Sequence, residues 1–600
     1  MTPGAVPLER RFNRSVAGRR YVAAFGLIVA LGTPGAVAQF QQPGPARPSR
    51  DTPAQKAGAA VPSGTIVGRV LTADSGRPVV RARVFITAAD LPQGRGALTD
   101  NSGGFQFTEL PAGRYTVTAS KTGFISLSYG QRRPLQGGTP LQLADGQQLK
   151  GIEFRLPRGS AIGGRVFDEN GDPMPGAFVQ VMRYQNAQGN RQLIPTGTAQ
   201  SDDRGQYRVW GLNPGSYYVS ATGDGSGGRG AGGRGGPAFG GRGGGPRGGS
   251  FESGDDPVGY APTFYPGVPS VAEARPVTVP LGGEAADINF NLLLVRTARI
   301  TGTVLNSDGS TTWAGTISVS PETQVARGGG FGATYGGRIN YDGNFTVANV
   351  PPGRYTLRAR STMRDEPAEF AVLPLTVTGT DVSVNVALAP GATIAGAVSL
   401  EVTQAASVPD MNQFRISLPS LDGQDNGPQS NARPNKDGKF LADAVPQGFH
   451  WVRGQAPRGW MLKSVVYEGR DIIDTAFEVR SGEKVVGLTA VFTDHLSQVS
   501  GTLTNEQGLP VTEYTVVAFP TDSTYWRPQS RQIMTTRPDQ NGGYQIRGLP
   551  PGEYFLAAVD PSEPGEWFEA AFLDQHRAGA ARLTVGEGDA KTMDFKVITR

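Results

Sequence analysis

One short pattern recurs five times in this chain and constrains its fold more than any other feature of the sequence. An Asp or Asn is followed three residues later by Gly and five residues later by Phe or Tyr, and a second Gly lies eight residues beyond that aromatic. Five matches without an insertion or deletion indicate a tandem repeat of one structural unit. The five copies begin at Asp100, Asp202, Asn340, Asn435 and Asp539.

Each copy of the pattern predicts two β-strands joined by a tight turn. In the fifth copy, Asp539–Gly542 is a turn signal, because Asp and Asn bond their own backbone and Gly accepts a positive φ. An alternating strand follows, and Pro550–Gly552 then reverses the chain into a second apolar strand. We therefore expect a β-hairpin in every copy. A Tyr such as Tyr554 opens the second strand in four copies, and His450 takes that place in the fourth.

A glycine in the opening strand of every unit marks a second repeated feature. Gly inside a strand predicts a bulge or the close approach of a neighbouring backbone. Apolar and polar residues alternate through each unit, so each strand buries one face and two sheets must stack. We also expect a second, terminal hairpin in each unit, such as the one over 141–156. The marker glycines are Gly68, Gly164, Gly302, Gly396 and Gly501.

These features predict an all-β chain of about five antiparallel β-sandwiches in tandem, each of about the size that one sandwich needs. A Gly/Arg-rich insert over 224–250 interrupts the second module and is expected to be disordered. The only helix predicted is short and lies within 566–577. We assign 1–38 to a signal peptide, 39–63 to a disordered linker, 64–157 to module 1, 158–297 to module 2, 298–390 to module 3, 391–497 to module 4 and 498–600 to module 5.

The N-terminus predicts export from the cytoplasm. Five arginines precede the apolar run 21–31, and Ala36-Val37-Ala38 fits the small-residue rule for signal cleavage. The apolar run is shorter than the roughly 20 residues that span a bilayer, although a membrane anchor is the alternative. We expect a periplasmic, cell-envelope or secreted protein without a further transmembrane span.

Composition narrows the classes of function. The net charge is +5, but residues 1–38 hold five Arg and one Glu. The remainder of the chain is therefore almost neutral, and its charge does not favour binding to nucleic acid. The chain has no Cys, which excludes disulfides, zinc–thiolate sites and cysteine nucleophiles. No H-E-x-x-H or G-x-S-x-G motif occurs. We predict no catalytic residue, no cofactor and no metal site.

The opening G-x-V strand, the Asn-Gly-x-Pro-type turn, the repeated pattern and the Leu-Pro-Pro-Gly-x-Tyr closure together resemble the carboxypeptidase regulatory-like domain. The resemblance covers nearly all of 64–600 and implies a seven-stranded, transthyretin-like (prealbumin-like) sandwich, related to collagen-adhesin B-type and starch-binding-like domains. It implies an accessory role, since function lies in sites and not in folds. The zinc carboxypeptidase that such domains accompany needs His-x-x-Glu, and none of His450, His495 and His576 has Glu three residues on.

Aromatic residues in loops are the candidate ligand-binding residues, as in the starch-binding-like relatives. Tyr525, Trp526 and Trp567 cluster in module 5, and Tyr260 and Tyr265 lie in an aromatic loop of module 2. Flat rings stack on sugars or on partner proteins, whereas packing in the core is the alternative. We therefore expect an exported, non-enzymatic binding, adhesion or spacer protein whose partner is a glycan or a cell-surface protein. The oligomeric state is not predicted.

Two other functions stay open. The chain could be an accessory or cryptic part of a peptidase or carboxypeptidase system with a site between modules, or an envelope structural protein whose Gly/Arg-rich insert grips an anionic polymer. That insert contains G-x-G-x-x-G and Arg-Gly-Gly runs, which we interpret as a flexible loop. Loops such as Asp168–Asp172 have calcium-like spacing but lack the downstream bidentate carboxylate, so we interpret them as turns.

Overall fold

The computed structural model describes residues 63–187, 190–223, 258–322, 334–361, 368–403, 408–421, 431–561 and 563–597. The predicted signal peptide, almost all of the predicted linker and the Gly/Arg-rich insert lie outside these residues. Within the described part, no helix is both long and apolar enough to cross a bilayer.

Strands make up nearly all of the regular structure, so the all-β prediction is confirmed. The described residues contain one α-helix, Ala570–Arg577, preceded by a 3-10 turn at Glu566–Phe568, and the predicted short helix is therefore confirmed. Its Leu573 is buried in an apolar cluster of module 5 that also contains Phe519 and Phe555. Two other 3-10 turns are Met411–Gln413 and Ser523–Tyr525.

Each module has its own set of strands. Module 1 contains Gly64–Thr72, Arg83–Ala88, Leu91–Leu98, Gly104–Leu110, Gly113–Ser120, Leu127–Ser128, Leu141–Leu143 and Gln148–Leu156. Module 2 contains Ser160–Phe167, Phe178–Ala187, Asn190–Gln200, Gln206–Leu212, Gly215–Thr222, Val258–Ala261, Thr263–Phe264, Val277–Val279, Glu284–Ala285, Phe290–Asn291 and Leu293–Arg296.

The later modules are also built from strands, and those of module 3 form one continuous nine-stranded sheet because Tyr335–Ile339 pairs with both Gly315–Pro321 and Asn344–Val350. Module 3 contains Ala298–Leu305, Gly315–Pro321, Tyr335–Ile339, Asn344–Val350, Gly353–Ser361, Glu369–Val377, Val382–Ser383, Val386–Ala387 and Ala389–Pro390. Module 4 contains Ala392–Glu401, Arg415–Ser417, Asn431–Ala432, Lys439–Val445, Gly448–His450, Arg453–Gln455, Met461–Tyr467, Arg470–Asp471, Phe477–Val479 and Lys484–Thr493. Module 5 contains Gln498–Thr504, Thr515–Pro520, Met534–Thr536, Gly543–Arg547, Gly552–Val559, Ala581–Val585, Ala590–Thr592 and Phe595–Lys596.

The repeated pattern does not form the hairpin that the sequence suggests. In module 1, Gly104–Leu110 pairs with the opening strand Gly64–Thr72, whereas Gly113–Ser120 pairs with Arg83–Ala88 in the other sheet. The turn between them therefore carries the chain from one sheet to the other across the core. The hairpin prediction was wrong, because alternation and turn residues specify two strands and a reversal but not which neighbour each strand bonds.

The predicted terminal hairpin is wrong for the same reason. In module 1, Leu141–Leu143 joins the second sheet, where it pairs with Gly113–Ser120. The last strand, Gln148–Leu156, instead runs parallel to the opening strand Gly64–Thr72 in the first sheet. The opening strand of each other module is also paired in parallel near the end of that module. The sandwich prediction stands, but the opening strand is also paired in parallel, through one ladder in modules 1 and 4 and through two short ladders in modules 2, 3 and 5.

The marker glycines lie where the last strand comes closest to the opening strand. A Cβ on Gly302 would lie 1.8 Å from the carbonyl oxygen of Val384, and the ring of Phe345 would be 3.1 Å away on another side. The prediction of close backbone approach is confirmed, because no side chain fits there. Equivalent distances are 2.1 Å to Ile152 O for Gly68, 2.1 Å to Ile288 O for Gly164, 2.3 Å to Leu488 O for Gly396 and 1.9 Å to Met593 O for Gly501.

A buried hydrogen bond fixes the turn that crosses the core. The Tyr that opens the second strand donates its hydroxyl to the backbone carbonyl four residues earlier. In module 4 the ring of His450 occupies this place, with Nε2 2.8 Å from the Pro446 carbonyl oxygen. His450 is therefore a structural substitute for Tyr. The tyrosine bonds are Tyr115 to Pro111 at 2.7 Å, Tyr217 to Asn213 at 2.5 Å, Tyr355 to Pro351 at 2.9 Å and Tyr554 to Pro550 at 2.7 Å.

We expect His450→Phe to lower the free energy of unfolding of module 4 by about 1–3 kcal/mol, because buried carbonyl oxygens would lose a donor. The second ring nitrogen, Nδ1, lies 3.0 Å from the Leu418 carbonyl oxygen, and the ring tautomer decides which of the two carbonyl oxygens accepts the hydrogen bond. His450→Tyr is the matched control, since its hydroxyl can restore the bond to Pro446. Denaturant unfolding followed by module-resolved hydrogen exchange measures both variants, and equal losses would contradict this role.

Candidate ligand-binding cleft

The structure places Trp526 in the interior of module 5. Trp526 is only 8% exposed, and its Nε1 donates a 2.8 Å hydrogen bond to the Pro520 carbonyl oxygen. The indole centroid lies 5.7 Å from that of Phe519. Asp522 caps the short turn before it by accepting from Thr524 N at 2.9 Å, which folds the polar loop back. Trp526 is therefore a packing residue in this structure.

The other two predicted aromatics of module 5 are half-buried. Tyr525 ends the same 3-10 turn. Trp567 lies in the 3-10 turn Glu566–Phe568 and packs on the apolar cluster that contains Trp526. Its centroid is 6.4 Å from that of Phe568. The sequence prediction of an aromatic patch in module 5 therefore falls on residues that are at least partly committed to packing.

The two predicted aromatics of module 2 also have partners within their own module. Tyr260 donates its hydroxyl to Glu169 Oε2 at 2.6 Å, and burial together with this carboxylate raises the pKa of the phenol. The ring of Tyr265 lies 6.1 Å from that of Phe290. Both tyrosines are half-buried against the core of the module. The five predicted aromatics are thus distributed over two modules and do not line the cleft described below.

Module 5 docks against module 1, although almost 400 residues separate them along the chain. Arg132 pairs with Glu513 at 2.7 Å. Gln540 uses both ends of its amide on one residue, since its Oε1 accepts from Gln142 N at 2.7 Å and its Nε2 donates to Gln142 O at 2.9 Å. The last module therefore contacts the first. Further contacts join Arg133 to Asp560 and Gln136 to the Glu513 carbonyl.

Module 5 also docks against module 2 through a buried arginine. The side chain of Arg183 is only 7% exposed and pairs with Glu563 at 2.5 Å. Its guanidinium carbon lies 5.8 Å from the ring centroid of Tyr217. Nearby, Asn186 Nδ2 donates to Glu569 Oε1 at 2.7 Å. The segment from Glu563 to Glu569 is therefore held against the end of a module 2 strand.

We expect a short thiol-specific cross-linker to join the two cysteines of a Gln142→Cys, Gln540→Cys variant, because these positions are in direct contact. The natural chain has no Cys, so no other thiol competes. Electrophoresis under denaturing conditions would detect the internal loop as a shift in mobility at low protein concentration. A Gln142→Cys, Tyr341→Cys pair, with its second cysteine in module 3, is the control. Equal cross-linking of the two pairs would contradict the docking.

A cleft of about 580 Å³ opens where modules 1, 2 and 5 meet. Module 2 contributes two tyrosines, Tyr184 and Tyr218, whose rings meet edge to face with centroids 5.5 Å apart. The guanidinium of Arg191 lies 4.9 Å from the ring centroid of Tyr184. The full lining consists of Pro134, Leu135, Arg183, Tyr184, Asn186, Arg191, Pro214, Gly215, Ser216, Tyr218, Glu563, Glu566 and Glu569.

The groups in this cleft are suited to hydrogen bonding and ring packing. Glu563 and Glu569 already bond Arg183 and Asn186, so their orientation is fixed by the docking itself. Across the described ranges, no three His, Asp or Glu side chains lie close enough together to hold a metal ion. Sequence patterns did not indicate the cleft, because its residues come from three modules and share no spacing.

The comparisons with known proteins concern the modules. The family model of the carboxypeptidase regulatory-like domain matches residues 65–157 and 161–231. No curated protein matches this chain.

Solved structures resemble the chain only distantly. The full-length major pilin RrgB from Streptococcus pneumoniae is 8% identical, with 90% of this chain and 100% of that chain covered and a TM-score of 0.15. The Bacillus anthracis TIE protein is 11% identical, with 72% of this chain and 73% of that chain covered and a TM-score of 0.14. GBS52, the minor pilin of Streptococcus agalactiae, is 14% identical, with 39% of this chain and 98% of that chain covered and a TM-score of 0.21. Likenesses at this level support no inference about function.

The family match covers the first two of the five repeats, whereas the sequence resemblance extends over nearly all of 64–600. Both matched segments contain the marker glycine, the turn glycine and the tyrosine whose hydroxyl fixes the crossing turn. Residues 65–157 and 161–231 of this chain are therefore similar to carboxypeptidase regulatory-like domains.

Proposed function

We propose that this chain is an exported, non-enzymatic binding protein whose β-sandwich modules together form a ligand site, with carbohydrate as the class of ligand. The observation that carries the proposal is the cleft to which three modules contribute. A cleft lined by several modules can bind a ligand, whereas a spacer needs no such site. The export signal predicted over 1–38 supports a ligand outside the cytoplasm.

The repeated acidic residues support a scaffold role for the modules themselves. Asp202 Oδ1 accepts from the backbone N–H groups of Arg204 at 3.0 Å and Gln206 at 2.8 Å, which is a turn and not a catalytic arrangement. Asp168, in a loop with calcium-like spacing, accepts in the same way from Asn170 and Asp172. These carboxylates are used to fix backbone turns.

The docking of module 5 favours binding over a spacer function. A spacer acts through its length and needs no contact between distant modules, whereas module 5 contacts modules 1 and 2 through side chains. The same contacts orient polar side chains from distant segments toward one cleft, as a binding site requires.

A glycan array probed with residues 39–600 tests the proposed function, together with peptidase assays on the same preparation. We expect saturable binding to a restricted set of glycans and no turnover of peptides. Peptidase turnover that survives a further purification step, or an array without any specific signal, would contradict the proposal. Deleting 1–38 from the full chain should retain the protein in the cytoplasm, which tests export separately.

A further inference from the structure

The cleft between modules 1, 2 and 5 has the size of a site for a small molecule. Its volume of about 580 Å³ falls in the range of roughly 300–1,000 Å³ that is usual for ligand pockets. Pro134 and Leu135 of module 1 add apolar surface beside the polar groups of the other two modules. A small sugar fits such a space.

The charges of the cleft point to an uncharged ligand. Arg183 and Arg191 come from module 2, whereas Glu563, Glu566 and Glu569 come from module 5. A ligand with a net charge would meet like-charged as well as opposite-charged groups here, so the lining as a whole favours neither an anion nor a cation. A hydroxyl group donates to a carboxylate and accepts from an arginine, so a neutral polyol can satisfy both kinds of partner. Hydrogen bonds with one charged partner are also the stronger ones.

The two tyrosines give the cleft an apolar surface with polar tips. Tyr184 and Tyr218 are half-buried and meet edge to face, so each ring is held by the other. Both pack on the small cluster formed by Met182 and Leu193 on the outer face of a module 2 sheet. Such rings pack against the C–H face of a sugar while their hydroxyls remain available for hydrogen bonds.

The cleft is composite and depends on the docking of module 5. Glu563 and Glu569 belong to that module and are held in place by Arg183 and Asn186 of module 2. If module 5 were released, one part of the lining would leave with it. Opening and closing of the array would therefore destroy and restore the site.

We propose that this cleft binds a neutral, hydroxyl-rich ligand, a mono- or disaccharide, and that the site exists only while module 5 is docked on modules 1 and 2. This inference rests on the proposed function and deepens it by naming the site and the reason for its selectivity.

Isothermal titration calorimetry on residues 39–600 tests the site with maltose, cellobiose and N,N′-diacetylchitobiose as neutral probes and with glucosamine and glucuronate as charged ones. We expect at least one neutral probe to bind and neither charged probe to compete. Tyr218→Ala should weaken that binding about tenfold, comparable to the loss of one ring contact. Tyr341→Ala, which removes a tyrosine 87% exposed in module 3, is the matched control and should leave the affinity unchanged.

A second variant tests the dependence on docking without touching the cleft. Arg132→Glu combined with Arg133→Glu reverses two charges of the contact with module 5, and circular dichroism checks that the modules remain folded. Sugar binding should then fall, together with the 142–540 cross-link. Unchanged affinity after loss of the cross-link would overturn the docking dependence.

The remaining outcomes separate this inference from the proposed function. If a glycan binds equally well to the natural chain and to Tyr218→Ala, the cleft is not the site, whereas the binding function stands. If only glucosamine or only glucuronate binds, the argument from charge is overturned. If no probe binds and the glycan array is also silent, both proposals fail.

Discussion

Gly302→Ala is expected to lower the free energy of unfolding of module 3 by about 3–5 kcal/mol, at the upper end of what one added methyl group costs. The new Cβ would lie 1.8 Å from the Val384 carbonyl oxygen and 2.7 Å from its carbon. The Val384 carbonyl group is part of the backbone and cannot move away from the new Cβ as the end of a flexible side chain could. Val384 N also donates to Thr301 O at 2.9 Å, so moving the last strand breaks a bond of the same ladder.

Gly336→Ala is the matched control for this prediction. It adds the same methyl group in a strand of the same module, but the nearest atom is Ile317 O at 3.8 Å, an ordinary contact. We expect its effect to stay within about 0.5 kcal/mol. Module-resolved hydrogen exchange on the full chain measures both variants. If Gly302→Ala is as stable as Gly336→Ala, the close approach of the two backbones is wrong.

Trp526→Ala is expected to destabilise module 5 by about 3–5 kcal/mol, as a large buried aromatic does when it is truncated. The substitution removes the contact with Phe519, leaves a cavity beside the helix Ala570–Arg577 and strips the Pro520 carbonyl of its donor. The outcome distinguishes packing from ligand contact, which was the role that the sequence suggested for this residue.

Trp313→Ala in module 3 removes the same side chain from a position that is 50% exposed and serves as the control. We expect a much smaller loss of unfolding free energy there, because truncating a half-exposed side chain leaves little cavity in the core. Thermal unfolding and near-ultraviolet circular dichroism measure both variants. A Trp526→Ala variant with unchanged unfolding but without glycan binding would restore Trp526 as a ligand residue.

The all-β class and the structural role of the glycines could be predicted because they depend on local chemistry. A glycine in a strand, such as Gly302, predicts the close approach of a neighbouring backbone, because that approach leaves no room for a Cβ. A pattern of Asp, Gly and an aromatic likewise specifies a turn followed by a strand. Strand pairing was not predictable in this way, since the choice between a hairpin and a crossing of the core depends on which distant strand is available.

The candidate site could not be predicted from the sequence. Arg183 and Glu563 are separated by 380 positions, and neither belongs to a motif. Their pairing arises only when module 5 docks. A loop aromatic such as Trp526 is predicted to contact a ligand, but the indole is buried behind the turn that Asp522 caps. Local polarity describes the neighbourhood of a residue in sequence and not the direction of its side chain.

The parallel pairing of opening and last strands gives each module a particular response to mechanical force. Tension applied to the two ends of a module loads these neighbouring strands along their length, so the hydrogen bonds of the ladder are sheared together and not opened one at a time. The ladder is long in modules 1 and 4, where it runs through Thr65–Thr72 and Thr393–Glu401, and consists of short pieces in modules 2, 3 and 5. A chain stretched between two anchored surfaces would therefore extend first through modules 2, 3 and 5, while modules 1 and 4 held.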